Sequence, residues 1–509
     1  MRRMLWVYFG LLLMTGALAD VRLPAMFSDG MVLQRGIAIP VWGWAATGEQ
    51  VTVTLEGQTV TAAADDSGTW KVALKPMKEG GPYQLTVTAK NTLTVKDVLL
   101  GDVWLCSGQS NMEMGLYGAT GGMQECKTAN YPNIRVFTVG RCGEITPQAE
   151  CTGRWQSVTP QTAAGCYATA YFFAKELQSH VGVPIGLLQC AWSGSVAEGW
   201  MSRTALEANP ELRPLMQKTD NTFASFTKDY LEKYGPAIRD WMTTAERAKA
   251  EGKPLPIPPT RTIPQDPRLR GEAAYMATMM YNGQLMPLVP YALKGAIWYQ
   301  GESNSGRQME YAKLFPAMIR NWRETWGQGD FPFLFVQLPN YMARNPKPED
   351  GGWALMRECQ QAALALPNTG MAVTIDIGEA ASIHPLNKQD VGKRLALVAL
   401  GTVYEKKIDY MGPTYAGMTI EGDKARITFT HLGGGLVAKD GPLKGFSVCG
   451  EDKQFVWADA AIIGDSVVVS SPLVTKPIAV RYAWANNPEC NLYNKAGLPA
   501  GPFRTDAPK

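Results

Sequence analysis

Four apolar segments of the sequence each end in a short cluster of polar residues that could do chemistry. The clusters occupy positions 107–111, 193–195, 301–304 and 382–385. In an open α/β sheet, sites form just outside the carboxyl ends of the strands, so we expect these clusters to lie together. They contain serine, glycine, amide and histidine residues, which are the groups that nucleophilic catalysis uses.

Ser110 is the candidate nucleophile. It follows a glycine turn and precedes a predicted helix. That position would expose Oγ and direct the backbone N–H toward a developing oxyanion. The same short pattern also fits a serine that only caps a helix, so Ser110 needs a partner to be interpreted as a nucleophile.

His384 is the candidate base, because the chain has only three histidines. His180 ends a helical segment, where a cation suits the helix dipole. His431 lies in a terminal β segment. His384 alone follows a strand of the predicted sheet, and the proline after it fits the start of a helix. A structural histidine bonded to the backbone is the alternative.

A third group could orient the histidine. Asp376 and Glu379 precede His384 and could accept its Nδ1–H, Glu302 is a further candidate, and a backbone carbonyl is possible. We predict Asp376.

Gly194 and Gln300 are the candidate oxyanion-hole donors. The backbone N–H of Gly194 and the side-chain amide of Gln300 would join the N–H of Ser110, each worth about 3 kcal/mol in the transition state. A plain turn glycine and a glutamine capping a strand end are the structural alternatives.

The elements around these residues indicate three regions after a leader. Residues 20–97 alternate apolar with polar residues between turns, which predicts an antiparallel β-sandwich. Residues 98–405 alternate unbroken apolar runs with helical segments, which predicts a doubly wound parallel sheet of the α/β class. Within them, the proline-rich segment 253–267 predicts a loop. Residues 406–509 return to a β-rich pattern.

The first 19 residues predict a secretory signal peptide. Arg2 and Arg3 precede an apolar run over 4–14, and Ala17-Leu18-Ala19 has the form of a cleavage site. The run is shorter than the roughly 20 residues that a spanning helix needs. We therefore expect an exported protein, periplasmic or secreted, without stable membrane insertion after cleavage.

Composition excludes other classes. Hydrophobic residues make up 46% and charged residues 19% of the 509, which is typical of globular proteins. The net charge of +3 falls to +1 without the leader's two arginines, and no dense basic run occurs, which argues against a nucleic-acid partner. No CxxC motif occurs, so a structural zinc site is not expected. Of the nine cysteines, those at 126, 142, 151 and 166 could form disulfides in an oxidising compartment.

Three segments resemble the sialate O-acetylesterases, which belong to the wider SGNH-hydrolase group: "LCSGQSNMEM", "WYQGESN" and "SIHPLNKQDVGKRLAL". The similarity extends to "MVLQR" and "VWGWA" near the start and to the C-terminal segment. It implies Ser110 as nucleophile, Gly194 and Gln300 as oxyanion-hole donors and His384 as base. The wider group has an aspartate three residues before this histidine, where this chain has Ala381, so Asp376 rests on proximity.

The resemblance implies two-step acyl transfer without a metal or organic cofactor, on an O-acetylated sugar. Sialic acid is the leading substrate, and acetylated plant polysaccharide such as xylan is the alternative. A non-catalytic sugar-binding protein is the alternative from another class. Sialic acid carries a carboxylate, which an arginine fork would recognise. Arg307 could provide this fork, or it could equally be a surface charge.

Overall fold

The computed structural model describes residues 20–257, 266–268 and 271–506. The predicted signal peptide over 1–19 lies outside the described residues, as does most of the proline-rich segment. The described parts of that segment, 253–257 and 266–267, contain no helix or strand.

The N-terminal region is built of β-strands, as its alternating pattern predicts. Alternate residues of the third and fifth strands are buried, which gives each strand one core-facing side. The strands are β1 (Val32–Gln34), β2 (Ile39–Trp44), β3 (Gln50–Leu55), β4 (Gln58–Ala63), β5 (Thr69–Leu74), β6 (Gly80–Thr88) and β7 (Thr92–Gly108).

One long strand, β7, connects this region to the next. Its first half pairs antiparallel with β6, from Thr92 to Leu100. Its second half, from Asp102 to Gly108, is the centre of a parallel sheet. The predicted boundary between residues 97 and 98 therefore lies within a continuous strand, and one hydrophobic core extends through both regions.

The parallel sheet continues through β8 (Tyr131–Thr138), β9 (Trp155–Val158), β10 (Ile185–Ala191), β11 (Gly295–Tyr299), β12 (Phe333–Val336) and β13 (Thr369–Ala372). The strand order is β13-β12-β11-β7-β10-β8-β9. Neighbours are parallel except β9, which pairs antiparallel with β8 at the edge. Every residue of β10, β11 and β12 is buried, which explains their unbroken apolar sequence.

The α-helices of the described chain are α1 (Ser110–Glu113), α2 (Gly122–Thr128), α3 (Ala168–Val181), α4 (Arg203–Ala208), α5 (Arg213–Asp229), α6 (Gly235–Ala250), α7 (Gln308–Trp326), α8 (Gly352–Gln361) and α9 (Lys388–Thr402). Helices cover both faces of the parallel sheet. Trp104 of β7 packs on Phe173 of α3. Trp298 of β11 packs on Phe315 and Trp322 of α7. Gly295 of β11 is paired with Trp104 of β7, so these two residues lie on the same face of the sheet. Successive residues of a strand alternate between the faces, and Trp298 lies three residues after Gly295, so Trp298 points to the opposite face from Trp104.

The C-terminal region is again β-rich, with a core of its own. Its strands are β14 (Thr414–Glu421), β15 (Lys424–Thr430), β16 (Leu436–Ala438), β17 (Phe446–Cys449), β18 (Val456–Trp457), β19 (Asp459–Ile463), β20 (Ser466–Ser470), β21 (Ala479–Tyr482), β22 (Leu492–Asn494) and β23 (Phe503–Arg504). They form sheets in the orders β14-β15-β20-β19, β18-β17-β21-β23 and β16-β22. The predicted α/β class with flanking β-rich regions is confirmed. Within the described residues, no helix has the length and apolarity of a membrane span.

Candidate active site

The turn before Ser110 requires glycine. Gly108, the last residue of β7, has φ +140°, and a Cβ there would lie 2.2 Å from the carbonyl oxygen of Tyr299 on the neighbouring strand. Only glycine allows this close approach of the two backbones. After Gln109, Ser110 begins the short helix α1, so it stands at the carboxyl edge of the sheet.

His384 reaches Ser110 from the loop between β13 and α9. Its Nε2 lies 2.7 Å from Ser110 Oγ, across 274 residues of sequence. Two side chains of the loop brace it. Glu379 accepts a hydrogen bond from the N–H of Leu386 at 2.7 Å, and Ser382 Oγ accepts one from the N–H of His384 at 3.1 Å. The structure thus brings together the predicted nucleophile and base.

Ser110 and His384 line an open cavity of about 480 Å³, together with Glu113, Met114, Arg141 and Ser193. Both reactive side chains are therefore accessible from outside. The cavity has room for an acyl group and part of a sugar ring, and it carries charged groups of both signs.

Asp376 does not contact His384, which contradicts the prediction that it orients the base. Its two carboxylate oxygens accept hydrogen bonds from Arg394, at 2.5 and 2.7 Å, and one of them also accepts from Tyr493 Oη at 2.9 Å. Asp376 is thus a largely buried counter-ion that ties α9 to the C-terminal region. Among the described residues, His384 Nδ1 has no hydrogen-bond partner.

Gln300 is also engaged elsewhere, which contradicts its predicted role as an oxyanion-hole donor. It is fully buried, and its Nε2 donates to the carbonyl oxygen of Ser195 at 3.1 Å and to Asn304 Oδ1 at 2.7 Å. Its Oε1 accepts from Tyr311 Oη at 3.0 Å. Because both amide hydrogens and the oxygen have partners, Gln300 joins the ends of the strands and offers no donor to a substrate.

Three other donors beside the nucleophile have no acceptor among the described residues. They are the backbone N–H groups of Ser110 and Gly194 and the Nε2 of Gln109. The Oε1 of Gln109 accepts from the N–H groups of Gly301, at 3.4 Å, and Ser303, at 3.2 Å, which fixes the direction of the amide. Sequence reasoning missed Gln109, although its place next to Ser110 was a usable signal.

A buried chain of polar groups lies beneath the Ser110–His384 pair. Asn111 donates to Glu302 Oε1 at 2.5 Å and to the carbonyl oxygen of Ile383 at 2.9 Å, and its Oδ1 accepts from Lys388 Nζ at 2.6 Å. It thus joins the helix of the nucleophile to the loop of the base. Glu302, an alternative third member, faces Asn111 in this chain and does not bond to His384.

Burial shifts the pKa values of the charged groups beneath the Ser110–His384 pair. Burial lowers the pKa of Lys388 to about 7, despite the nearby Glu302 carboxylate. Burial likewise raises the pKa of Glu302. The pKa of His384 is lowered by partial burial and, to a smaller extent, by the charge of Lys388. A lowered pKa keeps His384 neutral at pH 7, which is the form that accepts a proton.

Glu113 and Arg141 form an ion pair at the rim of the cavity. Glu113 Oε1 accepts from Nε and Nη2 of Arg141, at 2.9 and 2.5 Å. Glu113 Oε2 accepts from the N–H and the Oγ of Ser193, at 2.8 and 2.5 Å. By contrast, Arg307, the candidate fork, is paired with Glu198 and Glu310 and does not line this cavity.

All nine cysteines are described and are free thiols, so the predicted possibility of disulfides is not realised in this structure. No group of three or more histidine, cysteine, aspartate or glutamate side chains in the described ranges could hold a metal ion.

Comparison with known proteins places the chain in a family. The family model for carbohydrate esterases described as sialic acid-specific acetylesterases matches residues 100–224 and 269–400. The sialate O-acetylesterase of Rattus norvegicus is 32% identical, over 96% of this chain and 95% of its own length. The Homo sapiens sialate O-acetylesterase is 31% identical, over 95% and 92%.

A solved structure agrees with these relatives. A carbohydrate acetylesterase from Xanthomonas citri is 38% identical, with a TM-score of 0.81 over 96% of this chain and 100% of its own. The chain belongs to the sialic acid-specific acetylesterase family of carbohydrate esterases.

Proposed function

We propose that this protein is an SGNH-type serine esterase that removes O-acetyl groups from sialic acids, with Ser110 as nucleophile and His384 as base. The observation that carries the proposal is the 2.7 Å contact between Ser110 Oγ and His384 Nε2 at the open cavity. The substrate rests on the relatives that resemble almost the whole chain and are named sialate O-acetylesterases.

The first step acylates the enzyme. His384 Nε2 takes the proton of Ser110 Oγ as the oxygen attacks the acetyl carbonyl carbon. The tetrahedral intermediate then collapses, the bond to the sugar oxygen breaks, and His384 returns the proton to that oxygen. The deacetylated sugar leaves, and acetate remains esterified to Ser110.

The second step releases the acetate. A water molecule enters from the open cavity, His384 accepts one of its protons, and the oxygen attacks the acetyl carbon. Collapse of the second intermediate breaks the bond to Ser110 Oγ, which recovers its proton from His384. In both steps the developing oxyanion accepts hydrogen bonds from the N–H groups of Ser110 and Gly194, and Gln109 Nε2 is the third donor.

Ser110 and His384 work without a carboxylate that accepts a hydrogen bond from the histidine. Two features hold the loop of His384 instead, namely the hydrogen bond from Asn111 to the carbonyl of Ile383 and the bonds made by Ser382 and Glu379 within the loop. This arrangement supports a catalytic dyad in place of the expected triad.

We also propose that the protein is exported, with cleavage after Ala19. The charged start, the short apolar run and the small residues before Asp20 support this. The mass of the mature protein would test it: retention of the first 19 residues in the exported protein would contradict it.

The test of the function is acetate release by the wild type, Ser110→Ala and the control Ser225→Ala, which changes an exposed serine of α5. The substrates are O-acetylated sialic acid and acetylated xylan. We expect release from the sialic acid by the wild type and the control, and loss in Ser110→Ala. Release from xylan alone would move the substrate to plant polysaccharide, and full activity of Ser110→Ala would contradict the mechanism.

A further inference from the structure

Arg141 presents a positive charge in the cavity of Ser110 and His384. Its side chain is 51% exposed, whereas that of its partner Glu113 is 15% exposed. The loop that carries it is held in place, because Asn282 Nδ2 donates to the carbonyl oxygens of Glu144, at 3.1 Å, and Ile145, at 2.8 Å. The guanidinium therefore has a defined position and an open side.

The open side is one whole edge of the guanidinium. Nε and Nη2, which form its lateral edge, both donate to Glu113 Oε1. Nη1 donates to no described residue, and Nη2 has a second hydrogen. The terminal edge, Nη1 with Nη2, thus offers two parallel N–H groups, which is the geometry that binds a carboxylate in a bidentate manner.

Glu113 orients this fork. Its second oxygen is saturated by the N–H and Oγ of Ser193, so it is committed to the protein on both sides. The ring of Trp192, whose centroid lies 5.7 Å from Arg141 Cζ, supports the guanidinium from another direction. An arginine fixed in this way loses little side-chain entropy when it binds a ligand.

We propose that the terminal edge of Arg141 binds the carboxylate of an acidic sugar and so selects acidic over neutral O-acetylated sugars. This inference rests on the proposed function and specifies how the site recognises its substrate. Arg307 does not line this cavity, and its Nη1 and Nη2 already donate to the carboxylates of Glu310 and Glu198. A neutral acetylated sugar has no carboxylate that could accept both N–H groups of the fork.

The experiment compares kcat and KM of the wild type, Arg141→Met and Arg141→Lys. The control is Arg320→Met, which removes an exposed arginine of α7 away from the cavity. The substrates are O-acetylated sialic acid and an O-acetylated methyl glucoside, which is neutral. The readout is the ratio of kcat/KM for the acidic sugar to kcat/KM for the neutral one.

We expect Arg141→Met to lower this ratio about 10- to 100-fold, as for other hydrogen bonds between charged groups, chiefly by raising KM for the acidic sugar. Arg141→Lys keeps the charge without the fork, so its ratio should be intermediate. Arg320→Met should keep the wild-type ratio.

An unchanged ratio in Arg141→Met, whether or not the activity on both sugars falls, would overturn the inference while leaving the proposed function intact. A wild type that cleaves only the neutral sugar would instead contradict the proposed substrate, and the fork with it. Circular dichroism of both Arg141 variants checks folding, and a ratio measured on one folded enzyme does not depend on its active fraction.

Discussion

Replacing Asp376 with asparagine should destabilise the protein and leave its chemistry nearly intact. Asp376 and Arg394 are each 11% exposed, and they are joined by two short hydrogen bonds, with a third from Tyr493. The asparagine retains the size of the side chain but removes the counter-charge. Arg394 then remains largely buried without the carboxylate to which it is hydrogen-bonded.

The magnitude follows from that burial. Breaking one side of a buried ion pair costs about 3–5 kcal/mol, and the oxygen that asparagine retains places the cost near the lower limit, at about 3 kcal/mol. For cooperative unfolding of a chain of 509 residues, an unfolding entropy of about 2.1 cal/mol/K per residue converts this into a Tm decrease of about 3 °C. Urea unfolding and a thermal melt would measure the two quantities.

The same variant separates a structural role from a catalytic one. An aspartate that orients the catalytic histidine of a serine protease supports kcat by about 10⁴-fold. For Asp376→Asn we expect kcat on 4-nitrophenyl acetate to fall less than 10-fold. The control Asp423→Asn, on an exposed turn, should change neither quantity. A 10⁴-fold loss of kcat with unchanged stability would refute our assignment and restore Asp376 as the third catalytic member.

Two further predictions concern the groups around Ser110. The pKa of His384 is lowered by burial and by Lys388, so kcat/KM should reach its plateau below the pH expected of an ordinary histidine. Lys388→Met removes the cation and raises the pKa of His384, so the acidic limb of the pH profile of kcat/KM should move to higher pH. The control Lys393→Met, which changes an exposed lysine of the same helix, should leave the limb in place. An unmoved limb in Lys388→Met would show that the charge of Lys388 does not act on His384. Gln109→Glu keeps the acceptor for Gly301 and Ser303 but removes the Nε2 donor, so kcat should fall about 10²- to 10³-fold. An unchanged kcat would remove Gln109 from the oxyanion hole.

Ser110 and His384 could be identified from the sequence because their signals are local or rare. A glycine turn at the end of an apolar strand marks Ser110, and only one of three histidines follows a strand of the parallel sheet. The unbroken apolar runs also predicted the buried parallel strands, since both faces of that sheet are covered by helices.

The roles of Asp376 and Gln300 could not be assigned correctly from the sequence, because each depends on hydrogen-bond partners that lie far away along the chain. Tyr493, which bonds to Asp376, lies 117 residues further along the chain. Ser195, whose carbonyl occupies the amide of Gln300, lies 105 residues before it. Proximity to His384 in sequence therefore favoured a carboxylate that folding directs elsewhere.

Arg141 was missed for a related reason. It lies in a loop after β8 that shows no periodic pattern and no motif, and only the folded chain brings it to the cavity of Ser110. Arg307 follows a recognisable motif, but Glu198 and Glu310 neutralise it. The sequence shows which charged side chains a site could use. Only the ion pairs of the folded protein show which of these side chains are left to bind a substrate.

The central claim is that His384 activates Ser110 as a nucleophile. The most direct measurement is covalent labelling with a serine-directed fluorophosphonate, followed by intact mass and peptide mapping, for the wild type, Ser110→Ala and His384→Gln. We predict one adduct on Ser110 in the wild type, none in Ser110→Ala, and strongly slowed labelling in His384→Gln. An adduct on another serine, or labelling of His384→Gln at the wild-type rate, would contradict the account.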